Sequence, residues 1–300
     1  MSQPRVSICT SVLNQSEWLK ESIASVVAQT FKEWELLVLD DGSTEDIKAV
    51  VDSFNDPRIK FYRFEANMGI PHGSNFLLKQ AVGEFVCLLA ADEVIWDQKT
   101  ALQVAYLDEN PKIDAVWGMP YRFNDNPING GFGKHMDWEM VALRAHNRSR
   151  AAWIRTLVNL ETIPVGGCSM MMRKSVMDEL GGLDPTLTIF SDHELYCRFF
   201  EKYNGVMMPY LVAKDKDMTD ASVRVKSQED AFRQWQYVKE KHPIPVPVTD
   251  GKVTVAIPCY NHAKYLPDAV ASVLAQTRPL DEIIILNDSS TDEFKTVAAQ

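Results

Sequence analysis

The chain opens twice. Val6 to Asn14 reads as an apolar strand ending in asparagine, and Val253 to Asn261 repeats it without a gap at an offset of 247 residues. At that same offset Ala28-Gln29-Thr30 returns as Ala275-Gln276-Thr277, and Asp40-Asp41-Gly42-Ser43-Thr44 returns as Asn287-Asp288-Ser289-Ser290-Thr291. A repeat of this period is far longer than a solenoid unit and means two copies of a whole domain. Between them lies His242-Pro243-Ile244-Pro245-Val246-Pro247, whose alternating prolines favour an extended, semi-rigid connector. The expected organisation is a domain over residues 1–242, a proline-rich linker over 243–251 and the N-terminal part of a second domain over 252–300. The second copy reaches a strand, a helix, a strand and part of another helix by Gln300, as expected for a piece of a longer tandem protein.

Within the first copy, near-continuous apolar strands alternate with amphipathic helices. Strands are expected over Val6 to Leu13, Glu35 to Asp40, Ile59 to Phe64, Glu84 to Leu89 and Ile113 to Gly118. Helices are expected over Glu17 to Gln29, Thr44 to Phe54, Pro71 to Val82 and Thr100 to Glu109. That alternation predicts an α/β fold, a mostly parallel sheet with helices on both faces. Right-handed crossovers then gather the strands' carboxyl ends at one edge, where ligands sit. Met119 to Arg150 reads as a long loop bracketed by Trp117, Tyr121, Phe123, Phe132 and Trp138, aromatics better suited to core packing than to sugar stacking. Further on, Ser169 to Met172 reads as a strand, and Lys174 to Leu180, Ser191 to Lys202 and Gln228 to Lys241 as helices.

The net charge of −10 argues against a nucleic-acid partner, since neutralising phosphates needs a basic face. No run of 18 apolar residues suggests a membrane span. The five scattered cysteines suit buried free thiols in a reducing compartment, so a cytoplasmic protein is expected.

Val38-Leu39-Asp40-Asp41-Gly42-Ser43-Thr44 is an apolar strand that ends in two carboxylates and turns through glycine. Carboxylates there can accept hydrogen bonds from a base or from ribose hydroxyls; equally, they can serve the turn, with Ser43 or Thr44 capping the next helix. The repeat keeps the second acid, Asp41 as Asp288, while Asp40 becomes Asn287, which favours a shared role for Asp41.

Together with Val6-Ser7-Ile8, Ser11-Val12-Leu13-Asn14, Ser25-Val26-Val27-Ala28-Gln29-Thr30, Asn67-Met68-Gly69, Asn75 and Ala81-Val82-Gly83-Glu84-Phe85, this segment resembles the family 2 glycosyltransferases of the GT-A fold. The resemblance covers roughly residues 5 to 240 and again 252 to 300. It implies a nucleotide-sugar donor, a UDP-sugar by preference, with Ser11, Asn14, Asp40 and Asp41 around the nucleoside. The family's usual tyrosine is Leu13 here, which removes an aromatic wall for the base. Ala90-Ala91-Asp92 stands where the family has its DxD metal motif, so the resemblance places Mn²⁺ or Mg²⁺ on Asp92 alone, facing the diphosphate. Capping of the next turn is the plainer role for Asp92. Gly181-Gly182-Leu183-Asp184 and the helix from Ser191 resemble the acceptor side, which makes Asp192 the general base for a glycan or other hydroxyl acceptor. The plainer role for Asp192 is an N-cap. His193 has no role in the family's pattern.

The activity so implied is inverting sugar transfer. The alternative is a non-catalytic sugar-nucleotide or glycan-binding module, which the missing first acid at Ala90 and the altered Leu13 support. A nicotinamide oxidoreductase is disfavoured because no GxGxxG follows the first strand.

Overall fold

The computed structural model describes residues 3–123, 150–158, 167–216, 228–243, 254–276 and 280–298. The chain divides into two units, Met1–Pro245 and Val246–Gln300.

In the first unit an eight-stranded sheet runs in the order β3-β2-β1-β4-β7-β6-β8-β5. Its first half is parallel: β1 (Val6–Val12) lies between β2 (Trp34–Asp41) and β4 (Phe85–Leu88), and β3 (Ile59–Phe64) forms the edge beyond β2. The second half is mixed. β7 (Met170–Arg173) runs antiparallel to β4 and to β6 (Ala115–Phe123), β8 (Gly205–Lys216) runs parallel to β6, and β5 (Glu93–Ile95) closes the edge antiparallel to β8.

Period-two alternation loads both faces. Leu36 and Val38 of β2 join Ile8 and Val12 of β1 under α1 (Ser16–Val27), α2 (Ile47–Asp52) and α4 (Lys99–Glu109), through Leu19, Ile23, Ile47, Val51, Val104 and Leu107. Leu37 and Leu39 face the other way, onto Leu77 and Leu78 of α3 (Ile70–Gln80). Leu37 is fully buried, so its truncation to alanine is expected to cost about 2–5 kcal/mol. The same face continues through α5 (Arg150–Val158), α6 (Lys174–Leu180), α7 (Ser191–Lys202) and α8 (Gln228–Lys241). Trp153 of α5 stacks on Phe200 of α7 at 4.9 Å, and Trp117 of β6 is enclosed by Tyr196, Phe199 and Phe200. Trp117 is thus core. Phe132, Trp138 and the rest of 124–149 lie outside the described residues, as do 244–253.

Three expectations need correction. The helix expected from Thr44 begins at Ile47, because the amides of Ser43 and Thr44 are taken by the side chains of Asp40 and Asn14. Asp46 caps that helix by accepting from Ala49 N–H at 3.0 Å, so neither Ser43 nor Thr44 does. Strand β6 continues to Phe123, past the expected start of the loop, because it pairs with β8 as far as Lys216.

The second unit holds β9 (Thr254–Cys259) paired in parallel with β10 (Glu282–Asn287), together with α9 (Leu266–Leu274) and α10 (Phe294–Val297). Cys259, Ala263, Leu266 and Phe294 form its small core. All five cysteines of the chain are buried and free. No helix among the described residues is long and apolar enough to cross a membrane.

Candidate functional site

Parallel pairing brings the carboxyl ends of β1, β2, β3 and β4 to one edge. Four of the residues expected to hold a nucleoside meet there. Asn14, in the left-handed region at φ 51°, accepts through Oδ1 from Thr44 N–H at 2.8 Å and from Thr44 Oγ1–H at 3.0 Å. Its own N–H donates to Ser43 Oγ at 2.9 Å, so the loops after β1 and β2 are stitched together. Asp41 accepts from Met68 N–H at 2.8 Å and from Gly69 N–H at 2.9 Å, which pins the turn before α3 to the end of β2. Ser11 lies beside α3, and Gly73 makes the approach possible. A Cβ at Gly73 would fall inside contact distance of Ser11 Oγ and 3.0 Å from Leu39 Cδ2.

Asp40 is fully enclosed. Its Oδ1 accepts from Ser43 N–H at 2.8 Å, and its Oδ2 pairs with Arg63 of β3, whose Nη2–H also donates to Ser43 O at 2.9 Å. The second unit builds the same loop: Asn287 Oδ1 accepts from Ser290 N–H, and Asn261 Oδ1 accepts from Thr291 N–H. Asparagine serves there because the turn needs only an accepting oxygen. Arg63, half-exposed in front of Asp40, was not legible in the sequence; it is one residue of an edge strand with no spacing to mark it.

Beyond β4 the chain turns through Leu89-Ala90-Ala91-Asp92. Glu93, not Asp92, closes this turn: its Oε2 accepts from Ala90 N–H at 2.8 Å, and its own N–H donates to Ala90 O at 3.2 Å. Asp92 is partly buried, and its carboxylate has no hydrogen bond or ion pair among the described residues. Among the described residues no three His, Cys, Asp or Glu side chains group as a metal site. A hydrated Mg²⁺ or Mn²⁺ needs only one or two carboxylates when substrate phosphates supply the remaining oxygens, so an unpaired Asp92 fits that kind of ligation.

On the opposite side, Asp192 is the second residue of α7. Phe190 is the residue before the helix, and its carbonyl accepts from Glu194 N–H. Asp192 Oδ1 accepts from His193 N–H at 2.8 Å and lies 3.1 Å from His193 Nδ1. Burial alone would lower the His193 pKa, but the bond and the charge of Asp192 carry it above its ordinary value. The Tyr196 hydroxyl is enclosed, and its pKa is pushed well up by burial, with the charges of Asp192 and Glu93 adding to it.

Two supports complete the acceptor side. Asn75 of α3 donates through Nδ2 to Leu183 O and accepts through Oδ1 from Leu183 N–H, both at 2.8 Å. Glu194, fully buried in the first turn of α7, pairs with Arg198 at 2.5 Å, Lys241 at 2.7 Å and His242 at 3.4 Å. Arg198 Nη2–H in turn donates to Gly182 O at 2.8 Å. The Glu194–Arg198 spacing of four was a readable helix pair; its links to Lys241 and His242 were not.

The family model of glycosyl transferase family 2 matches residues 7–180 and again 254–300. The chain belongs to glycosyl transferase family 2. A relative from Rickettsia bellii (strain RML369-C), named as an uncharacterized glycosyltransferase, is 25% identical over 97% of this chain and 47% of its own length. The chain spans about half the length of the Rickettsia relatives it matches across nearly all of its residues. A shorter match is to the Escherichia coli UDP-Glc:alpha-D-GlcNAc-diphosphoundecaprenol beta-1,3-glucosyltransferase WfgD, 35% identical over 42% of this chain and 50% of that protein. Among solved structures, Staphylococcus aureus TarS 1-349 in complex with UDP-GlcNAc superposes with a TM-score of 0.63 at 18% identity, covering 79% of this chain and 66% of that one. Mannosyltransferase PcManGT from Pyrobaculum calidifontis, in complex with GDP-Man and Mn2+, superposes with a TM-score of 0.56 at 16% identity over 81% and 62%. The fold of the chain is that of the GT-A glycosyltransferases.

Proposed function

We propose that the first unit is an inverting transferase that moves a sugar from a UDP-sugar to a hydroxyl of a glycan or related acceptor. The observation that carries this reading is Asp92 in the turn beyond β4, whose carboxylate makes no hydrogen bond or ion pair among the described residues while Glu93 closes the turn. The complex of TarS with UDP-GlcNAc supports the donor class.

Ser11, Asn14, Asp40 and Asp41 form the nucleoside side. In this reading Asp41 and Ser11 face the nucleoside, while Asp40 and Asn14 hold the loops in shape through Ser43 and Thr44. Asp92 would hold Mn²⁺ or Mg²⁺ against the donor diphosphate, and the ion would supply neutralising charge to the departing nucleotide. Asp192 takes the proton from the acceptor hydroxyl as that oxygen attacks the anomeric carbon from the face opposite the diphosphate. Its place at the start of α7 keeps it ionised, since the helix dipole favours negative charge there.

The test is UDP release from UDP-glucose and UDP-N-acetylglucosamine with Mn²⁺, comparing the wild type with Asp192→Asn. Loss of turnover in the variant is expected; unchanged turnover removes Asp192 from this role. The second reading is a non-catalytic nucleotide-sugar-binding module, favoured by Ala90 in place of the first acid. Donor binding with no turnover in the wild type would favour it.

A further inference from the structure

We infer that His193 is a positioning residue for the transfer step, its Nδ1–H holding Oδ1 of Asp192 so that the carboxylate keeps one orientation toward the acceptor. The inference rests on the reading of Asp192 as the base.

The terminal torsion of an aspartate is soft and roughly two-fold, so a carboxylate at the start of a helix turns easily. A base must accept its proton at about 2.6–3.2 Å, and rotation of the carboxylate moves the accepting oxygen out of that range. In this protein two donors of the next residue converge on the same oxygen, the His193 amide at 2.8 Å and the imidazole Nδ1 at 3.1 Å. An ionised carboxylate only accepts, so the bond places the proton on Nδ1.

The imidazole is itself braced. It stands edge-on to Phe190 at 5.7 Å, with 30% of its side chain exposed. Behind it, Leu195, Tyr196 and Phe199 anchor α7 in the core. The same pair also resembles an aspartate orienting a histidine base, with Nε2 as the accepting atom. The position decides between the two. At a helix N-terminus the dipole stabilises a carboxylate, and the bond and charge of Asp192 keep the proton on the imidazole that donates to it. His193 therefore orients and Asp192 accepts.

The experiment uses the full chain and measures kcat and KM for UDP release from UDP-glucose and UDP-N-acetylglucosamine with Mn²⁺. Leucine at 193 keeps bulk without a donor, and asparagine restores a donor near Nδ1. Expected is a kcat lowered by about 10-fold or more in His193→Leu with the donor KM unchanged, and His193→Asn within about 3-fold of the wild type. An unimpaired His193→Leu, or a His193→Asn as impaired as the leucine variant, overturns the inference while an inactive Asp192→Asn leaves the base reading standing. A fully active Asp192→Asn overturns the base reading first. Crystal structures of the two variants add a readout that needs no turnover. Asp192 should keep its orientation in His193→Asn and lose it in His193→Leu, and an unmoved Asp192 in the leucine variant sinks the proposal.

Discussion

Asn75 and Leu183 pair as two strand residues would, the Asn75 amide donating to the carbonyl and accepting from the N–H of one residue 108 positions away, with both bonds at 2.8 Å. This is a side chain standing in for backbone. It ties α3, on the nucleotide side, to the Gly181–Asp184 segment that leads into α7. Asn75→Ala leaves a partly buried N–H and carbonyl unpaired, at about 1–3 kcal/mol. Asn75→Asp loses the donor and sets a carboxylate against Leu183 O. Both variants should unfold at lower urea concentration, the aspartate earlier; a midpoint equal to wild type for the alanine variant removes the clamp from the argument.

Gly73 has no room for a side chain. Its added Cβ would meet Ser11 and Leu39, whose side chains lie between α3 and the sheet. The helix must then lift from the carboxyl end of β1, at roughly 1–3 kcal/mol for an overpacked site. Because Ser11 borders the proposed nucleoside pocket, Gly73→Ala should also weaken UDP binding by calorimetry. Normal UDP affinity alongside reduced stability would place Ser11 outside the pocket.

Asp92 is the cleanest test of the metal. Glu93 already closes the turn, so Asp92→Asn should fold with a midpoint within about 0.5 kcal/mol of wild type, as expected for a surface change that breaks no contact. The Mn²⁺-dependent part of donor affinity should be lost in this variant, as it should be in wild type treated with a chelator. If Mn²⁺ strengthens UDP binding equally in both proteins, the ion sits elsewhere.

The parallel half of the sheet was legible because both faces of β1, β2 and β4 are covered, leaving apolar runs that period and length identify. β8 and β5 were missed. β5 is three residues, too short for alternation to register, and β8 breaks its apolar run with Lys214 and Asp215 where it pairs with β5. Motif positions located the loops at the sheet edge, but not how they bond. Nothing in Asp40-Asp41 distinguishes a carboxylate paired with Arg63 from one holding the Met68 and Gly69 amides, since both partners come from distant segments. The Glu93 cap is a contact three residues away, yet it reads the same as an Asp92 cap until geometry decides.

Glu194 and His242 give the stability a pH signature. Burial opposes the charge on Glu194, but His242, Arg198 and Lys241 together hold its pKa far below the ordinary carboxylate range. A depressed acid stabilises the fold above its unfolded value, about 4.5, and that contribution is lost as pH falls through the folded one. Burial likewise opposes the charge on His242, and its bonds to Glu194 and Glu201 carry the pKa above 6.5. A raised histidine stabilises fully below 6.5, and its contribution is lost as pH rises through the folded value. The cluster therefore contributes most between about pH 4.5 and 6.5. His242→Gln should flatten the fall in stability on the alkaline side of that window and leave the acid side in place, because Arg198 and Lys241 still hold Glu194. Glu194→Gln should cost about 3–5 kcal/mol near neutrality, as expected when a buried charge cluster loses its central partner. Urea midpoints from pH 5 to 9 check both variants, and a His242→Gln profile parallel to wild type would show that folding leaves the pKa of the histidine unshifted.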